Sequence, residues 1–70
     1  MKTYLITFEP RQGVLMRLLT EVTRRGIDLG DVQADASGVL TLKIETTEKQ
    51  EGQLLRAWRS TIDVVSAVLV

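Results

Sequence analysis

The sequence predicts an α+β domain with the element order β-α-β-β-α-β. Segments with the two-residue alternation of half-buried strands are interrupted by two segments with the 3.6-residue period of amphipathic helices. Glycines and helix-capping residues mark the boundaries between these segments. With 70 residues, 44% of them hydrophobic, the chain has the length and composition of one globular domain, residues 1–70. This order is the split β-α-β arrangement of ferredoxin-like folds, in which a four-stranded antiparallel sheet carries two helices on one face.

A change of period separates the first strand from the first helix. Over residues 3–9, Tyr4, Ile6 and Phe8 alternate with polar side chains, as in a strand with one buried face. Over residues 13–25 the apolar residues recur on one helical stripe. Two arginines followed by Gly26 indicate the end of this helix, because cations favour its negative end and glycine favours the left-handed cap position.

The second and third strands are predicted to form a hairpin. Residues 27–36 read as a strand in which Ile27 and Leu29 share one parity and Val32 and Ala34 the other. We therefore expect a β-bulge at or next to Gly30, since one extra residue exchanges the two faces. Ser37-Gly38 predicts the turn, and residues 39–46 alternate again as the third strand.

A helix and a strand close the chain. Thr47 and Gln50 have the spacing of a capping box that opens a helix with Leu54, Leu55 and Trp58 on its apolar stripe. Residues 62–70 are rich in β-branched side chains and predict the last strand.

The apolar residues of the last strand are expected on both faces of the sheet. Those expected to face the helices are Ile62, Val64, Val68 and Val70. Those expected on the outer face, beside Leu5, are Val65, Ala67 and Leu69. Because an apolar outer face is usually covered, we expect a partner subunit there.

The composition argues against several classes of protein. The chain has no His and no Cys, and its nine basic residues balance nine acidic ones, so we expect no enzyme, no metal site, no cofactor and no nucleic-acid partner. Asp28, Asp31 and Asp35 are too sparse for a calcium loop and are interpreted as a solvated face. Tyr4 and Phe8 share the parity of the core, which argues against base stacking on the sheet.

Location and assembly follow from the same features. No apolar run approaches the ~18 residues of a membrane span and no cleavable signal is visible, so a cytoplasmic location without membrane contact is the default expectation. A domain this short buries only about 60% of its unfolded surface. Without disulfides or metals to compensate, we expect a homo-oligomer, at least a dimer.

The turn between the first strand and the first helix, FEPRQGVL, is the best candidate for a binding site. Gly13 lets the backbone approach a ligand, and the free amides of a helix N-terminus attract an anion such as a carboxylate. Arg11 adds positive charge, whereas Pro10 removes one amide donor and stiffens the turn. The alternative is that Pro10 and Gly13 only shape a connection, and the residues alone leave both readings open.

Two segments resemble a known family. EPRQGVLMRLLTEVTRRGIDLGDV, residues 9–32, resembles the first half of an ACT domain, with QGVL at the loop-helix junction and RGIDL at the helix-strand junction. LLRAWRSTIDV, residues 54–64, is similar to the closing segment of the small subunits of acetohydroxyacid synthase. The resemblance covers nearly the whole chain.

The resemblance implies a non-catalytic regulatory module. ACT domains pair edge to edge or helix to helix and bind small ligands, often amino acids, near the first β-α turn. The small subunits bind and activate the catalytic large subunit of the synthase, and many transmit feedback inhibition by a branched-chain amino acid. A free-standing amino-acid sensor, or a module of another metabolic enzyme, is the alternative.

The family's effector site transfers to this chain by position. The loop residues are Arg11, Gln12, Gly13, Val14 and Leu15. The residues expected to contribute from the same or a neighbouring subunit are Asp28, Leu29 and Asp31. Pro10 stands where effector-responsive members usually carry Asn or Asp, so one ligand-holding side chain of the family is missing.

Overall fold

A computed structural model describes all 70 residues, Met1–Val70, and its elements follow in the predicted order. The strands and helices are β1 (Lys2–Phe8), α1 (Val14–Thr23), β2 (Asp31–Asp35), β3 (Val39–Ile44), α2 (Glu48–Arg59) and β4 (Val64–Leu69). The strands form one sheet in the order β2-β3-β1-β4, and every neighbouring pair is antiparallel. The ferredoxin-like α+β fold is thereby confirmed. Neither helix is long and apolar enough to cross a membrane.

One hydrophobic core lies between the helices and one face of the sheet. The central strands contribute alternate residues to it, as their sequence period predicts, and α1 contributes Val14, Leu18 and Val22. Trp58 of α2 is fully buried and joins the layers. Its Nε1 donates to the Leu18 carbonyl oxygen at 3.0 Å, and its ring meets Tyr4 edge to face at a centroid distance of 5.5 Å.

The predicted capping box opens α2. The Gln50 amide donates to the Thr47 hydroxyl oxygen at 3.1 Å, and the Thr47 amide donates to the Gln50 side-chain oxygen at 3.0 Å. Two amides that the helix leaves without partners are satisfied in this way. No side chain caps α1, which begins after Gly13 and ends two residues before the predicted Arg25.

The predicted bulge in the second strand is wrong. β2 spans only Asp31–Asp35 and pairs with β3 in a regular register, while residues 28–30 form a connection. Glycine is required at position 30 for a different reason, because a Cβ there would overlap the carbonyl oxygen of Lys43. All five residues of β2 are exposed, since it is an edge strand with a neighbour on one side only.

The bulge occurs between β1 and β4 instead. Thr7 lies opposite Ser66 and Phe8 lies opposite Val64, so Val65 is the extra residue. The bulge exchanges the faces of the rest of β4. Ala67 is buried in the core, which corrects its predicted outward position, and Val68 lies opposite Leu5 on the outer face rather than facing the helices.

Candidate functional site

The β1–α1 loop, residues 9–13, is fixed at both sides by backbone hydrogen bonds. The Phe8 amide donates to the Gly38 carbonyl of the β2–β3 turn at 2.8 Å, and the Glu9 amide donates to the Asp63 carbonyl of the α2–β4 turn at 2.7 Å. The Arg11 amide donates back to the Glu9 carbonyl at 2.7 Å, which closes a three-residue turn over Pro10. The loop is therefore positioned although its side chains are exposed.

Gly13 gives the loop its entry into the helix. Its φ of 86° and ψ of −12° lie in the left-handed region, where side chains other than Gly, Asn and Asp are disfavoured. The amides of Gly13, Leu15 and Met16 have no acceptor within the chain. These donors stand at the positive end of α1, the arrangement that suits a carboxylate.

The loop's five predicted effector residues divide into two groups. Arg11, Gln12 and Gly13 are exposed and open to a ligand. Val14 is buried in the core and its amide donates to the Arg11 carbonyl at 3.2 Å, so it offers a ligand nothing, whereas Leu15 packs against the core and offers its backbone amide only. Of the predicted loop, only Arg11 and Gln12 have side chains free to touch a ligand.

Asp63 belongs to the same site, and sequence reasoning missed this role. Its carboxylate Oδ1 lies 3.4 Å from Arg11 Nη1, and its side chain is only 16% exposed. Asp63 also adopts a positive φ of 73°, which Asp tolerates better than most residues. The signal in the sequence was an Asp placed directly before a β-branched strand. Any anion bound at the loop would share Arg11 with this carboxylate.

The second group of predicted effector residues lies at the other end of the sheet. Asp31 pairs with Lys43, which pairs with Thr3, whereas the loop follows Phe8. Asp31 is therefore level with Thr3, five residues along β1 from Phe8, which corresponds to about 17 Å at 3.4 Å per residue. Asp28 and Leu29 precede Asp31 and lie at that same end. One chain therefore does not bring the two groups together.

The loop has no cavity of its own. The surface grooves of the protein lie between the two helices and over the β2–β3 hairpin, and none is lined by residues 9–13. Nor do Asp, Glu, His or Cys side chains gather anywhere in a group of three that could hold a metal ion. The chemistry present at the loop is hydrogen-bond donation and positive charge.

The shifted pKa values belong to contacts elsewhere. A hydrogen bond from the Ser37 hydroxyl lowers the pKa of Asp35 in the β2–β3 turn. The N-terminal ammonium, 2.6 Å away, lowers the pKa of Glu45. The hydrogen bond to Glu51 at 2.7 Å raises the pKa of Lys2. These contacts fix the hairpin and tie β1 to its surroundings.

The outer face of the sheet is uncovered and partly apolar. Leu5 is half-buried, Val68 is 42% exposed and Val70 is 77% exposed. Thr3 and Thr7 alternate with Leu5 along β1 on this same face. A surface of this composition is typical of an interface.

No protein-family model and no curated protein sequence matches this chain.

Proposed function

We propose that this protein is a non-catalytic regulatory ACT module, a small subunit that binds and activates or stabilises acetohydroxyacid synthase in branched-chain amino-acid biosynthesis. The observation that carries the proposal is the fixed β1–α1 loop, with its left-handed Gly13 and three free amides at the start of α1. These donors and Arg11 would hold the carboxylate of an amino acid. The loop has no wall around it within one chain, so a second subunit would complete the pocket.

The edge strand β2 is the proposed site of pairing with that second subunit. Its outer backbone groups are unpaired, and an antiparallel pairing with its own copy would continue the sheet. Such pairing places the start of one β2 against the end of the other. Asp28 and Asp31 of one subunit would then approach the loop end of the next, where carboxylates suit the ligand's ammonium group. Leu29, exposed in the single chain, would contribute apolar surface.

Pro10 limits the donors available for a ligand. Pro10 has no amide, and the Arg11 amide is already engaged by the Glu9 carbonyl. Recognition of the carboxylate would therefore fall to the amides after Gln12 and to the Arg11 guanidinium, which Asp63 already holds in part.

The outer face of the sheet is the proposed contact with a further subunit, either another copy or the catalytic subunit. Val68→Asp would place a charge at its centre, and Ile62→Asp, on an exposed residue in the α2–β4 turn, is the matched control. We expect Val68→Asp to lower the mass of the assembly measured by light scattering or to prevent co-purification with the large subunit. If neither changes, the outer face is not a contact.

Calorimetric titration with valine, leucine and isoleucine tests the effector site. Gly13→Asp places a carboxylate where the ligand's own carboxylate would bind, so the two negative charges repel each other. Asp is among the residues that tolerate the left-handed conformation of this position. Gly52→Asp makes the same change on the exposed face of α2. We expect Gly13→Asp to weaken binding by at least about tenfold, as loss of charge-assisted hydrogen bonds implies, while Gly52→Asp binds like the unmodified protein.

The enzyme experiment separates the proposed role from its alternative. Activation of a purified acetohydroxyacid synthase large subunit on addition of this protein supports the subunit role. Saturable amino-acid binding without co-purification or activation would assign a free-standing sensor instead. Absence of both ligand binding and enzyme activation would refute the regulatory proposal, and the loop would then be a connector only.

A further inference from the structure

A groove runs between α1 and α2 on the helical layer, away from the sheet. Its larger part has a volume of about 430 Å³ and is lined by Arg24, Arg25, Gln53, Arg56, Ala57 and Ser60. A second part of about 340 Å³ continues past Arg24 along α1 to Arg17, with Thr20 and Thr61 on its sides. None of these residues belongs to the β1–α1 loop or to the sheet.

The groove carries an excess of positive charge. Glu21 is its one carboxylate, and two arginines share it: Arg25 Nη1 lies 2.8 Å from Oε2 and Arg24 Nη2 lies 2.9 Å from Oε1. Arg17 and Arg56 have no carboxylate within ion-pair distance. Four guanidinium groups therefore face a single negative charge, and the groove attracts anions.

Part of this charge is already oriented. Arg25 is held by Glu21 through both its carboxylate and its backbone carbonyl, each at 2.8 Å, so its guanidinium loses little freedom on binding a further anion. The side-chain amide of Gln53 and the hydroxyl of Ser60 also line the groove, make no hydrogen bond within the protein and are free to donate. Charged donors and neutral donors line the same groove.

The shape of the groove favours an extended occupant. Arg17 and Arg24 are seven residues apart on the helix, about 10 Å at 1.5 Å per residue. Carboxylates on one side of an extended peptide recur about every 7 Å. The long, exposed side chains of Arg17 and Arg24 can close the remaining difference of about 3 Å, so two acidic side chains of such a peptide can each meet one arginine. A compact anion such as phosphate would contact only part of a groove of this length.

The groove does not favour nucleic acid. Single-stranded nucleic acids need aromatic side chains on which bases stack. The three aromatic residues of this chain, Tyr4, Phe8 and Trp58, are all buried in the core. Charge attraction to a phosphate backbone remains, but the stacking surface is absent.

We infer that the groove between α1 and α2 is a docking site for an acidic segment of a protein partner, held through the carboxylates of alternate residues by Arg17, Arg24, Arg25 and Arg56. This site is separate from the proposed effector pocket and does not depend on it, because the two share no residue.

The probe is an oligoglutamate peptide, and its binding is monitored by NMR of the ¹⁵N-labelled full chain. The ionic strength is kept low, so that the Debye length is about 30 Å. We expect saturable shifts of the groove amides and of the Arg24 and Arg56 side-chain signals. An oligoglutamine peptide of equal length should cause none. The double variant Arg24→Gln, Arg56→Gln should weaken binding by at least about tenfold, as loss of two charge-assisted contacts implies.

The double variant Lys43→Gln, Lys49→Gln is the matched control, since it also removes two positive charges, from exposed positions on β3 and α2 outside the groove. We expect it to change the affinity by less than about twofold. Equal weakening by both variants would overturn the inference, because net charge and not the groove would then decide binding. Shifts that do not map to the groove, or no binding at all, would also overturn it.

Two further probes decide the class of occupant. Inorganic phosphate that saturates the groove as readily as the peptide would replace the docking site by a small-anion site. A single-stranded oligothymidine that binds the groove more tightly than oligoglutamate would assign it to nucleic acid. Each result contradicts the proposed occupant. Amino-acid titration of the Arg24, Arg56 variant reports on the effector loop separately.

Discussion

Two glycine-to-alanine substitutions should shift stability in opposite directions. Gly38, in the β2–β3 turn, has a φ of 101°, and a Cβ there would overlap the carbonyl oxygen of Phe8. Gly52, in the middle of α2, has no atom within 4 Å of the position of a Cβ and no left-handed φ. The same methyl group therefore meets a backbone obstacle at one site and open solvent at the other.

The expected magnitudes follow from these surroundings. Gly38→Ala adds backbone strain of about 1–3 kcal/mol. The shift that relieves the overlap also breaks the hydrogen bond from the Phe8 amide to the Gly38 carbonyl, now 2.8 Å, which contributes about 1 kcal/mol. The total, about 2–4 kcal/mol, is a large share of the roughly 4–10 kcal/mol that a domain of this size has. Gly52→Ala should add about 1 kcal/mol, because alanine is the better helix former.

Urea denaturation followed by Trp58 fluorescence measures both variants. With a slope of about 1 kcal/mol per molar urea, typical of small domains, the midpoint should fall by about 2 M or more for Gly38→Ala and rise by about 1 M for Gly52→Ala. All samples need equal protein concentration, since an oligomer's stability depends on it. A loss below about 1 kcal/mol for Gly38→Ala, or a change of the same sign in both, would refute the reasoning.

Three further substitutions test particular contacts. Trp58→Phe should cost about 2 kcal/mol, measured by circular dichroism in urea, because it removes the hydrogen bond to Leu18 and leaves a cavity in the core. Thr47→Ala should cost about 1 kcal/mol by the same measurement, through loss of the cap of α2. The Asp35 carboxyl group should have a pKa below its usual value of 3.8, measured by NMR of its carboxyl carbon as the pH is varied. Ser37→Ala should raise this pKa, because it removes the hydroxyl donor. Because the folded pKa is lowered, the stability from this carboxylate is present above pH 3.8 and is lost as the pH falls through the folded value.

Most of the fold was predictable because its signals are local. The alternation in β1 and β3, the stripe of α1 and the capping box at Thr47 each depend on residues within one or two turns of chain. The free amides at the start of α1 follow from the same local pattern, so the sequence also pointed to the loop half of the candidate site, although not to the left-handed conformation of Gly13.

The misplaced bulge shows where local patterns fail. The parity change at Ile27 and Val32 looked like a bulge, but Ile27 packs on the core from a connection while Val32 lies on an uncovered edge strand. In β4, Val64 and Val65 are identical residues, and nothing local says which of them is extra. Pairing with Thr7 and Phe8 of β1 decides it.

What the sequence by itself determined is the order and type of the elements and the positions of the charged and glycine residues around the first turn. Only the tertiary structure decided that Asp63 reaches Arg11, that Asp31 lies at the far end of the sheet, and that the arginines of α1 and α2 line one groove. The physical reason is that these relations depend on strand register and on how two helices lie across a sheet. Both are set by contacts between residues far apart in the chain, and no periodicity along it encodes them.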